Sequence, residues 1–184
     1  MKNNELLQAM EQVEEASTAL HTTSWVWGGL TVDIYQGCFL REHHDLDYLT
    51  LHLHELIAPL THRFKEFGWQ VRRLSNGDLK VKKQGIDIQL GNINLSKEVR
   101  WTPNGDLGSL FFPMDWLVPQ SIIFYEVELH VVSPELQYVL LAHPELLNPE
   151  WVRREKDIAA LASLNEILVA NGIAVADLRT MIRD

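Results

Sequence analysis

The chain of 184 residues changes its hydrophobic period along its length. Apolar residues recur at helical spacing over residues 3–20 and predict an N-terminal helix. Shorter apolar runs bounded by Gly, Asn and Pro then predict strands, and the last third returns to helical spacing. The predicted strands cover residues 25–27, 46–53, 69–74, 79–83, 86–90 and 122–132, and the later helices cover 30–35, 55–67, 150–170 and 175–182. This order predicts an α+β fold, with a core over residues 1–132 and a helical C-terminal region over 133–184 packed on it.

Turn and cap residues mark the boundaries of these elements. Asn76-Gly77, between two apolar runs, is a hairpin signal. Ser133-Pro134 places a capping residue before a proline of the first helical turn, and Asn148-Pro149 repeats this pattern before residue 150. Residues 92–119 are rich in Gly, Pro and Asn and predict a long, partly ordered loop.

The stretch from Trp25 to Thr50 carries the main candidate chemistry. An apolar strand leads into Gly28-Gly29 and a short helix, and a loop then leads to Asp45 and Asp47 at the start of the next strand. Side chains two apart on a strand leave the same face, so these carboxylates should lie together. Such carboxylates repel each other unless a cation lies between them. On composition alone they equally fit surface acids at a strand end, where Asp is common.

A third carboxylate follows in the predicted strand 86–90. The apolar residues of that strand alternate with polar ones, which places Asp87 on the opposite face. A carboxylate in a nearly apolar sheet needs a partner. Asp45, Asp47 and Asp87 together offer the oxygen ligands that suit Mg²⁺ or Mn²⁺ better than zinc. The sequence therefore predicts a metal site with three acids.

The order of these residues resembles one known superfamily. The chain is similar to the nucleotidyltransferases of the DNA polymerase β superfamily, and most closely to their small aminoglycoside adenylyltransferase-like branch. The resemblance is carried by Gly28, Gly29, Asp33, Gly37, Arg41, His43, Asp45, Leu46 and Asp47, continues through Gly85-Ile86-Asp87-Ile88 and ends in Arg153-Arg154-Glu155-Lys156-Asp157. It covers most of the chain.

This resemblance implies a fold and a reaction. The fold is a polymerase β-like mixed sheet flanked by helices, with a helical C-terminal part. The reaction is the attack of an acceptor hydroxyl on the α-phosphorus of a nucleoside triphosphate, with pyrophosphate leaving. Asp45 and Asp47 would hold divalent ions, and Asp87 would share an ion or accept the hydroxyl proton as general base. The expected co-substrate is ATP or another nucleoside triphosphate, and the expected acceptor is a small, hydroxylated, aminoglycoside-like molecule that receives AMP.

Five further residues are candidate nucleotide contacts. The Gly28-Gly29 turn opens a helix and suits a phosphate, although it also permits a tight strand–helix contact. Arg41 and His43 would contact phosphate or, alternatively, brace the loop before the acid pair. Asp33, in mid-helix, is expected to tether that helix to the loop. Lys156 would contact the triphosphate tail, the alternative being a solvated and ion-paired helix face.

Composition narrows the range of partners. The formal net charge of −9 argues against a nucleic-acid binder, so no DNA partner is expected, and it fits a cationic small-molecule acceptor. No apolar run is long enough for a membrane span, and no signal-peptide pattern is present, so no membrane partner is expected. The single cysteine, Cys38, has no intramolecular partner and is expected to be buried, and a reducing cytoplasm is the expected location.

Three alternatives to a small-molecule nucleotidyltransferase stay open. The acceptor half of such proteins diverges, so a protein side chain or an RNA end is an alternative acceptor, although the net charge disfavours RNA. A glycosyltransferase also uses an Asp-x-Asp pair, but the Gly-Gly turn so close before that pair disfavours this reading. A catalytically silent nucleotide-binding module is the third alternative, and the presence of all three acids disfavours it.

Overall fold

The described residues, 2–103 and 108–183 of a computed structural model, form a nine-stranded mixed sheet with helices packed on it. The helices are α1 (Lys2–Ala19), α2 (Leu30–Gln36), α3 (Leu53–Glu66), α4 (Pro134–Ala142) and α5 (Glu155–Ala170). The strands are β1 (Ser24–Trp27), β2 (Asp45–Leu51), β3 (Gln70–Arg73), β4 (Leu79–Lys83), β5 (Ile86–Leu95), β6 (Val99–Trp101), β7 (Leu110–Phe112), β8 (Ile122–Phe124) and β9 (Val127–Val131). Short 3₁₀ helices cover Met114–Trp116, Pro144–Leu146 and Val175–Met181.

The sheet places β2 at its centre. The strand order is β3-β4-β5-β2-β1-β9-β8, and β6 and β7 continue from the far end of β5. β2 runs parallel to β5 and antiparallel to β1, while β1 runs parallel to β9. The α+β fold with a mixed sheet flanked by helices is thereby confirmed. Side chains of β2 lie directly beside those of both β5 and β1, which decides what surrounds the acid pair.

One face of the sheet packs against α1 and α3. Leu46 and Tyr48 of β2, with Ile88 and Leu90 of β5, belong to this first hydrophobic core. Burying each such side chain contributes about 1.5–3 kcal/mol. Because the side-chain period of a strand is two, this burial fixes the strand register and turns the intervening residues to the opposite face. The aspartates of β2 and β5 are therefore held on the other side of the sheet.

The opposite face packs against the C-terminal helices over only part of its area. A second hydrophobic core joins Trp25 and Leu49 of the sheet to Leu136 of α4 and Leu168 of α5. Helix α4 begins as predicted, with the Ser133 hydroxyl accepting a hydrogen bond from the Leu136 amide at 3.3 Å. The helical region therefore shares a core with the sheet, and the boundary between 1–132 and 133–184 stays a prediction. The start of β2 lies beyond this core and remains open.

Several element boundaries differ from the prediction. Helix α5 begins at Glu155 rather than at residue 150. The predicted loop 92–119 is wrong over much of its length, since β5 runs to Leu95 and β6, β7 and a 3₁₀ helix follow. Buried Val99, Trp101 and Phe112 account for these strands, because they complete the second core. Residues 104–107 of that predicted loop lie outside the described residues.

Two smaller expectations also change. Cys38 is exposed rather than buried, because it follows Gly37, the left-handed residue that ends α2. The last predicted helix is a 3₁₀ helix over Val175–Met181. Within the described residues no single helix has the length and apolar content to cross a membrane; the pair Glu155–Ala170 and Val175–Met181, bent by 102°, meets that test by length and composition only.

Candidate active site

Two rows of polar side chains cross the open face of β4, β5 and β2. The first row pairs Lys82 with Asp87 and Asp87 with Asp45, and the second pairs Lys80 with Gln89 and Gln89 with Asp47. Residues paired directly across strands lie on the same face of a sheet. The three predicted acids therefore share one face, and two lysines share it with them.

Asp45 and Asp47 occupy the β2 end of these rows without a protein counter-charge in contact. Asp45 is exposed and Asp47 is half-buried. Within the described part of the chain, no hydrogen bond or ion pair from the protein reaches either carboxylate. Burial and, next, the charge of Asp45 raise the pKa of Asp47 to about 7, against a lowering by Lys80 and Lys156. This is the behaviour of carboxylates that are held together without a bound cation.

Gly28 makes room for the acid pair. Its φ of +82° is unfavourable for residues with a side chain, and a Cβ there would lie 2.8 Å from Asp47 Oδ2. A Cβ at the neighbouring Gly29 would collide with the guanidinium of Arg41. The close approach at Gly28 is therefore to an aspartate of strand β2, and a phosphate role for Gly28 stays a prediction.

The amide of Gly28 is already used by the protein. It donates a hydrogen bond of 2.8 Å to Oε1 of Gln137, a buried residue of α4. The helical C-terminal region therefore fixes the turn that faces Asp47. Because this amide is occupied, any phosphate contact at the turn falls to the exposed Gly29 and to Arg41.

Asp33 and His43 form a buried brace behind the site. His43 Nε2 lies 2.9 Å from Asp33 Oδ2, and the Leu40 amide donates to the same oxygen at 2.7 Å. Both side chains of the ion pair are buried. This arrangement ties α2 to the loop before β2, as expected for Asp33. His43 is not among the residues that line the cleft, and its contact with nucleotide stays a prediction.

Asp87 is engaged by two lysines of the neighbouring strand. Lys80 Nζ lies 3.0 Å from Asp87 Oδ2, and Lys82 Nζ lies 3.2 Å from Oδ1. Burial would raise the pKa of Asp87, but the hydrogen bonds and charges of Lys80 and Lys82 outweigh this effect and lower it below its usual value. Asp87 is therefore ionised at neutral pH, and its need for a partner is met within the sheet.

The C-terminal side of the site presents one paired and one unpaired cation. Arg154 Nε and Nη2 donate to the Asp157 carboxylate at 3.0 and 3.1 Å, and the Arg154 amide donates to it at 2.9 Å, which caps α5. The Arg154 guanidinium also lies 4.9 Å from the ring of Trp151. Lys156 is exposed and makes no hydrogen bond or ion pair with a described residue. Of the two, only Lys156 is available to an anionic ligand without breaking a contact.

These residues line a cleft of about 380 Å³ between the sheet and the C-terminal helices. Its polar wall contains Gly28, Gly29, Arg41, Asp45, Asp47 and Lys156, and its aromatic wall contains Trp27, Trp101 and Trp151. The structure thus brings together six of the predicted site residues. Asp87 lies beside the cleft in the same row as Asp45, and His43 lies behind it.

The acid pair fits a divalent cation. It offers carboxylate oxygens that no donor among the described residues occupies, and oxygen ligands of this kind suit a divalent ion. Among the described residues, however, no group of three or more Asp, Glu, His or Cys side chains is arranged to hold a metal. The reason is visible in the rows, because Asp87 is turned to Lys80 and Lys82. The role of Asp87 as a third ligand stays a prediction.

Comparison with known proteins identifies the family. The sequence model of the family described as aminoglycoside-2″-adenylyltransferase matches residues 9–144, well over half of the chain. The chain belongs to this family. It is therefore a nucleotidyltransferase of the adenylyltransferase type, and the resemblance stated from its sequence motifs is confirmed. No curated protein sequence gives a significant match.

Several solved structures share the fold of this chain. ANT(2″)-Ia in complex with adenylyl-2″-tobramycin has a TM-score of 0.72 at 16% identity, covering 96% of this chain and 95% of that chain. The lincomycin-bound lincosamide antibiotic adenylyltransferase LnuA has a TM-score of 0.63 at 19% identity, covering 84% and 93%. A putative nucleotidyltransferase from Thermotoga maritima has a TM-score of 0.51 at 20% identity, covering 90% and 96%. At these identities the likeness shows the fold alone.

Three residues of the site were not predicted from the sequence. Lys80 and Lys82 flank an apolar residue in the predicted strand 79–83, so their period of two already placed both on one polar face. What the sequence lacked was the register between β4 and β5, which sets both ammonium groups against Asp87. Gln137 had no signal, because its contact with Gly28 spans 109 positions of the chain.

Proposed function

We propose that this protein transfers AMP from ATP to a hydroxyl of a small antibiotic-like acceptor, with Mg²⁺ or Mn²⁺ as the metal cofactor. The observation that carries the proposal is the unpartnered pair Asp45–Asp47 in a cleft that also presents Arg41 and Lys156. The complexes of ANT(2″)-Ia with adenylyl-2″-tobramycin and of LnuA with lincomycin support a hydroxylated antibiotic as the acceptor class.

The cations of the cleft suit the triphosphate of the nucleotide. Lys156 lies at the first turn of α5, where a basic side chain opposes the helix dipole and is favoured by a bound anion. Arg41 lies over Gly29 and lines the same cleft as Lys156. A triphosphate bound by these two cations would bring its α-phosphate towards Asp45 and Asp47. Because phosphate and carboxylates are all negatively charged, a metal ion would be needed between them.

Asp45 and Asp47 are the residues that would hold the metal. Two carboxylates suit Mg²⁺ bound together with phosphate oxygens. The bound ion would neutralise charge that develops on the phosphate oxygens. The chain itself contributes the placement: β2 fixes the two side chains on one face, and Gly28 leaves space for the Asp47 carboxylate.

Asp87 is the proposed proton acceptor. An acceptor oxygen forms a bond to the α-phosphorus, the bond from that phosphorus to pyrophosphate breaks, and the hydroxyl proton passes to the Asp87 carboxylate. The lysine contacts keep Asp87 ionised and thus able to take a proton at neutral pH. A positioned base of this kind contributes about 10²- to 10⁴-fold to the rate.

The acceptor is proposed to be a small, hydroxylated and cationic molecule. A cleft of about 380 Å³ falls within the range of small-molecule sites. Trp27 and Trp151 are the accessible aromatic rings of the cleft, and cationic groups are attracted to such rings. The formal net charge of −9 favours the approach of such acceptors over that of nucleic acid. We place the reaction in the cytoplasm, which supplies ATP.

A pyrophosphate-release assay tests this proposal. Nucleoside triphosphates are combined with Mg²⁺ and a panel of hydroxylated cationic compounds that includes tobramycin and lincomycin. The expected result is release that requires ATP, metal and acceptor together, with an adenylylated product of the correct mass. The matched control is the Asp45→Ala, Asp47→Ala double variant. The proposal is overturned if the wild-type protein releases no more pyrophosphate than this double variant with every pair of substrates.

A further inference from the structure

Asp45, Asp47 and Asp87 share one face of the sheet, called here the acidic face. Lys80 of the neighbouring strand β4 brings a positive charge to this face. Its Nζ lies 3.0 Å from Asp87 Oδ2. The register places Lys80 in the second row, opposite Gln89 and therefore in line with Asp47. Its charge reaches Asp47 as well, where it lowers the pKa of a carboxyl that burial and Asp45 raise. The Lys80 ammonium group thus acts electrostatically on an acid of β2, Asp47, and on an acid of β5, Asp87.

Lys82 provides a comparison within the same strand. It lies 3.2 Å from Asp87 Oδ1, but its row continues to Asp45, and it has no such effect on Asp47. The side chain of Lys82 is 60% exposed, whereas that of Lys80 is 36% exposed. The more exposed ion pair is weakened more by solvent. The two lysines therefore share a partner but differ in how far they neutralise the acidic face.

We infer that Lys80 is an internal counter-ion of the metal site, which offsets the negative charge of Asp87 and Asp47 in the metal-free protein and competes with a divalent cation for them. This inference rests on the proposed function, because it assigns the metal to Asp45 and Asp47. Metal binding and the Lys80–Asp87 ion pair then oppose each other: a divalent ion at the acids disfavours the ammonium, and the ammonium weakens binding of the ion. Lys80 is a positioning residue in this scheme, since it acts through Asp87 and Asp47.

If Lys80 acts in this way, the three aspartates can stay on one face of the sheet in the metal-free protein. Without Lys80, three carboxylates on adjacent strands would repel one another, which costs stability in the metal-free protein. With Lys80 in place, this cost falls, and so does the affinity for metal in the absence of nucleotide. Nucleotide phosphates add ligands for the ion, so full metal binding is expected only with the nucleotide present.

The test compares Lys80→Met with Lys82→Met in the full-length protein without nucleotide. Mg²⁺ binding is measured by calorimetry, and thermal unfolding is measured in EDTA and in Mg²⁺. Lys80→Met should bind Mg²⁺ about tenfold more tightly than wild type, the effect expected for one charge near a protein surface. It should also melt at a lower temperature in EDTA and gain more from Mg²⁺ than wild type. Lys82→Met should show smaller changes in both quantities.

Further variants keep the test decisive. Lys80→Arg retains the charge and should restore wild-type Mg²⁺ affinity, whereas Lys80→Gln removes the charge and should repeat the result of Lys80→Met if that variant folds poorly. Unchanged or weaker Mg²⁺ binding in both uncharged variants overturns the inference, as do equal effects at Lys80 and Lys82. None of these measurements requires turnover. A protein that binds Mg²⁺ as expected but has no activity would therefore contradict the proposed function without contradicting the role of Lys80.

Discussion

Asp33 and Asp47 are carboxylates 14 positions apart whose surroundings are opposite. Asp33 Oδ2 accepts a hydrogen bond from the Leu40 amide and lies 2.9 Å from His43 Nε2, and the side chains of Asp33 and His43 are both buried. Asp47 has no protein donor among the described residues, and burial and then the charge of Asp45 raise its pKa. Asp33 is satisfied by the protein, whereas Asp47 is not.

The difference separates structural from functional acids in this fold. A buried charge that is fully paired supports the fold, and its loss leaves its partner uncompensated. A charge held beside a like charge lowers stability, so a ligand is needed to account for it. Asp87 is intermediate between Asp33 and Asp47. It forms ion pairs with Lys80 and Lys82, but it lies on the same face of the sheet as Asp45 and Asp47.

The largest expected effect is on turnover in Asp47→Ala. The acid pair loses one of its two metal ligands, so pyrophosphate release should fall to the level of the assay background. Thermal stability in EDTA should stay the same or rise, because the repulsion between Asp45 and Asp47 is removed. Near-wild-type activity with Mg²⁺ would show that the metal is held elsewhere.

Asp33→Ala should give the reverse result. Removing one partner of a buried ion pair leaves His43 and the Leu40 amide without their acceptor, which should lower the free energy of unfolding by about 3 kcal/mol. At temperatures where the variant is folded, nucleotide affinity should stay close to wild type. Denaturant unfolding beside calorimetric nucleotide binding makes the measurement. A stable variant that no longer binds nucleotide would place the His43 brace in the binding site after all.

Asp87→Asn tests the intermediate case. Asn is nearly the same size and still offers an oxygen to Lys80, but it cannot accept a proton. We expect kcat to fall by about 10²-fold or more, and nucleotide affinity to change by no more than about tenfold, roughly 1.4 kcal/mol. Collapse of binding together with turnover would instead make Asp87 chiefly a metal ligand. No change in either would remove it from the mechanism.

The same comparison applies to the cations Lys156 and Arg154. Lys156→Ala should raise the KM for nucleotide about tenfold with a smaller change in kcat, since a charge-assisted phosphate contact is worth about 1.5–3 kcal/mol and is made in the ground state too. Arg154→Ala should mainly lower stability, because Arg154 is committed to capping α5 through Asp157. Steady-state kinetics and thermal melts of both variants give the measurement. Lower stability in Lys156→Ala with an unchanged KM would support the solvated-face alternative.

The fold and the acid face could be predicted from the sequence because both depend on short-range patterns. The alternation around Leu46 and Ile88 decides which face of each strand is buried and hence where Asp45, Asp47 and Asp87 point. The start of α5 could not be predicted in this way. Asn148-Pro149 has the pattern of a helix start, but the helix begins where Asp157 can cap the Arg154 amide, a choice that depends on side-chain geometry.

The partners of the acids were beyond prediction because they come from long-range pairing. Lys80 meets Asp87 only through the register of β4 with β5, and Gln137 meets Gly28 only when α4 packs on the sheet. The same holds for electrostatics. The raised pKa of Asp47 depends on how deeply the folded chain buries its carboxyl group, which no local pattern encodes.

The last prediction concerns the contribution of Asp47 to the pH dependence of stability. The pKa of Asp47 rises from 3.8 to about 7 on folding. Between these values the folded protein binds a proton that the unfolded chain does not, so stability is highest at the acid end and is lost as the pH rises towards 7. The free energy of unfolding is measured in EDTA from pH 4 to pH 8 for wild type and for Asp47→Asn.

The wild-type protein should lose stability relative to Asp47→Asn across this range, since Asn has no charge to acquire. Asp87 and Asp157, whose pKa values are lowered, act in the opposite sense and lose stability as the pH falls, but they are present in both proteins and cancel in the difference. Mg²⁺ should stabilise the wild type more at pH 8 than at pH 5, because the ion binds the ionised form. Parallel curves for wild type and Asp47→Asn would mean that folding does not raise the pKa of Asp47.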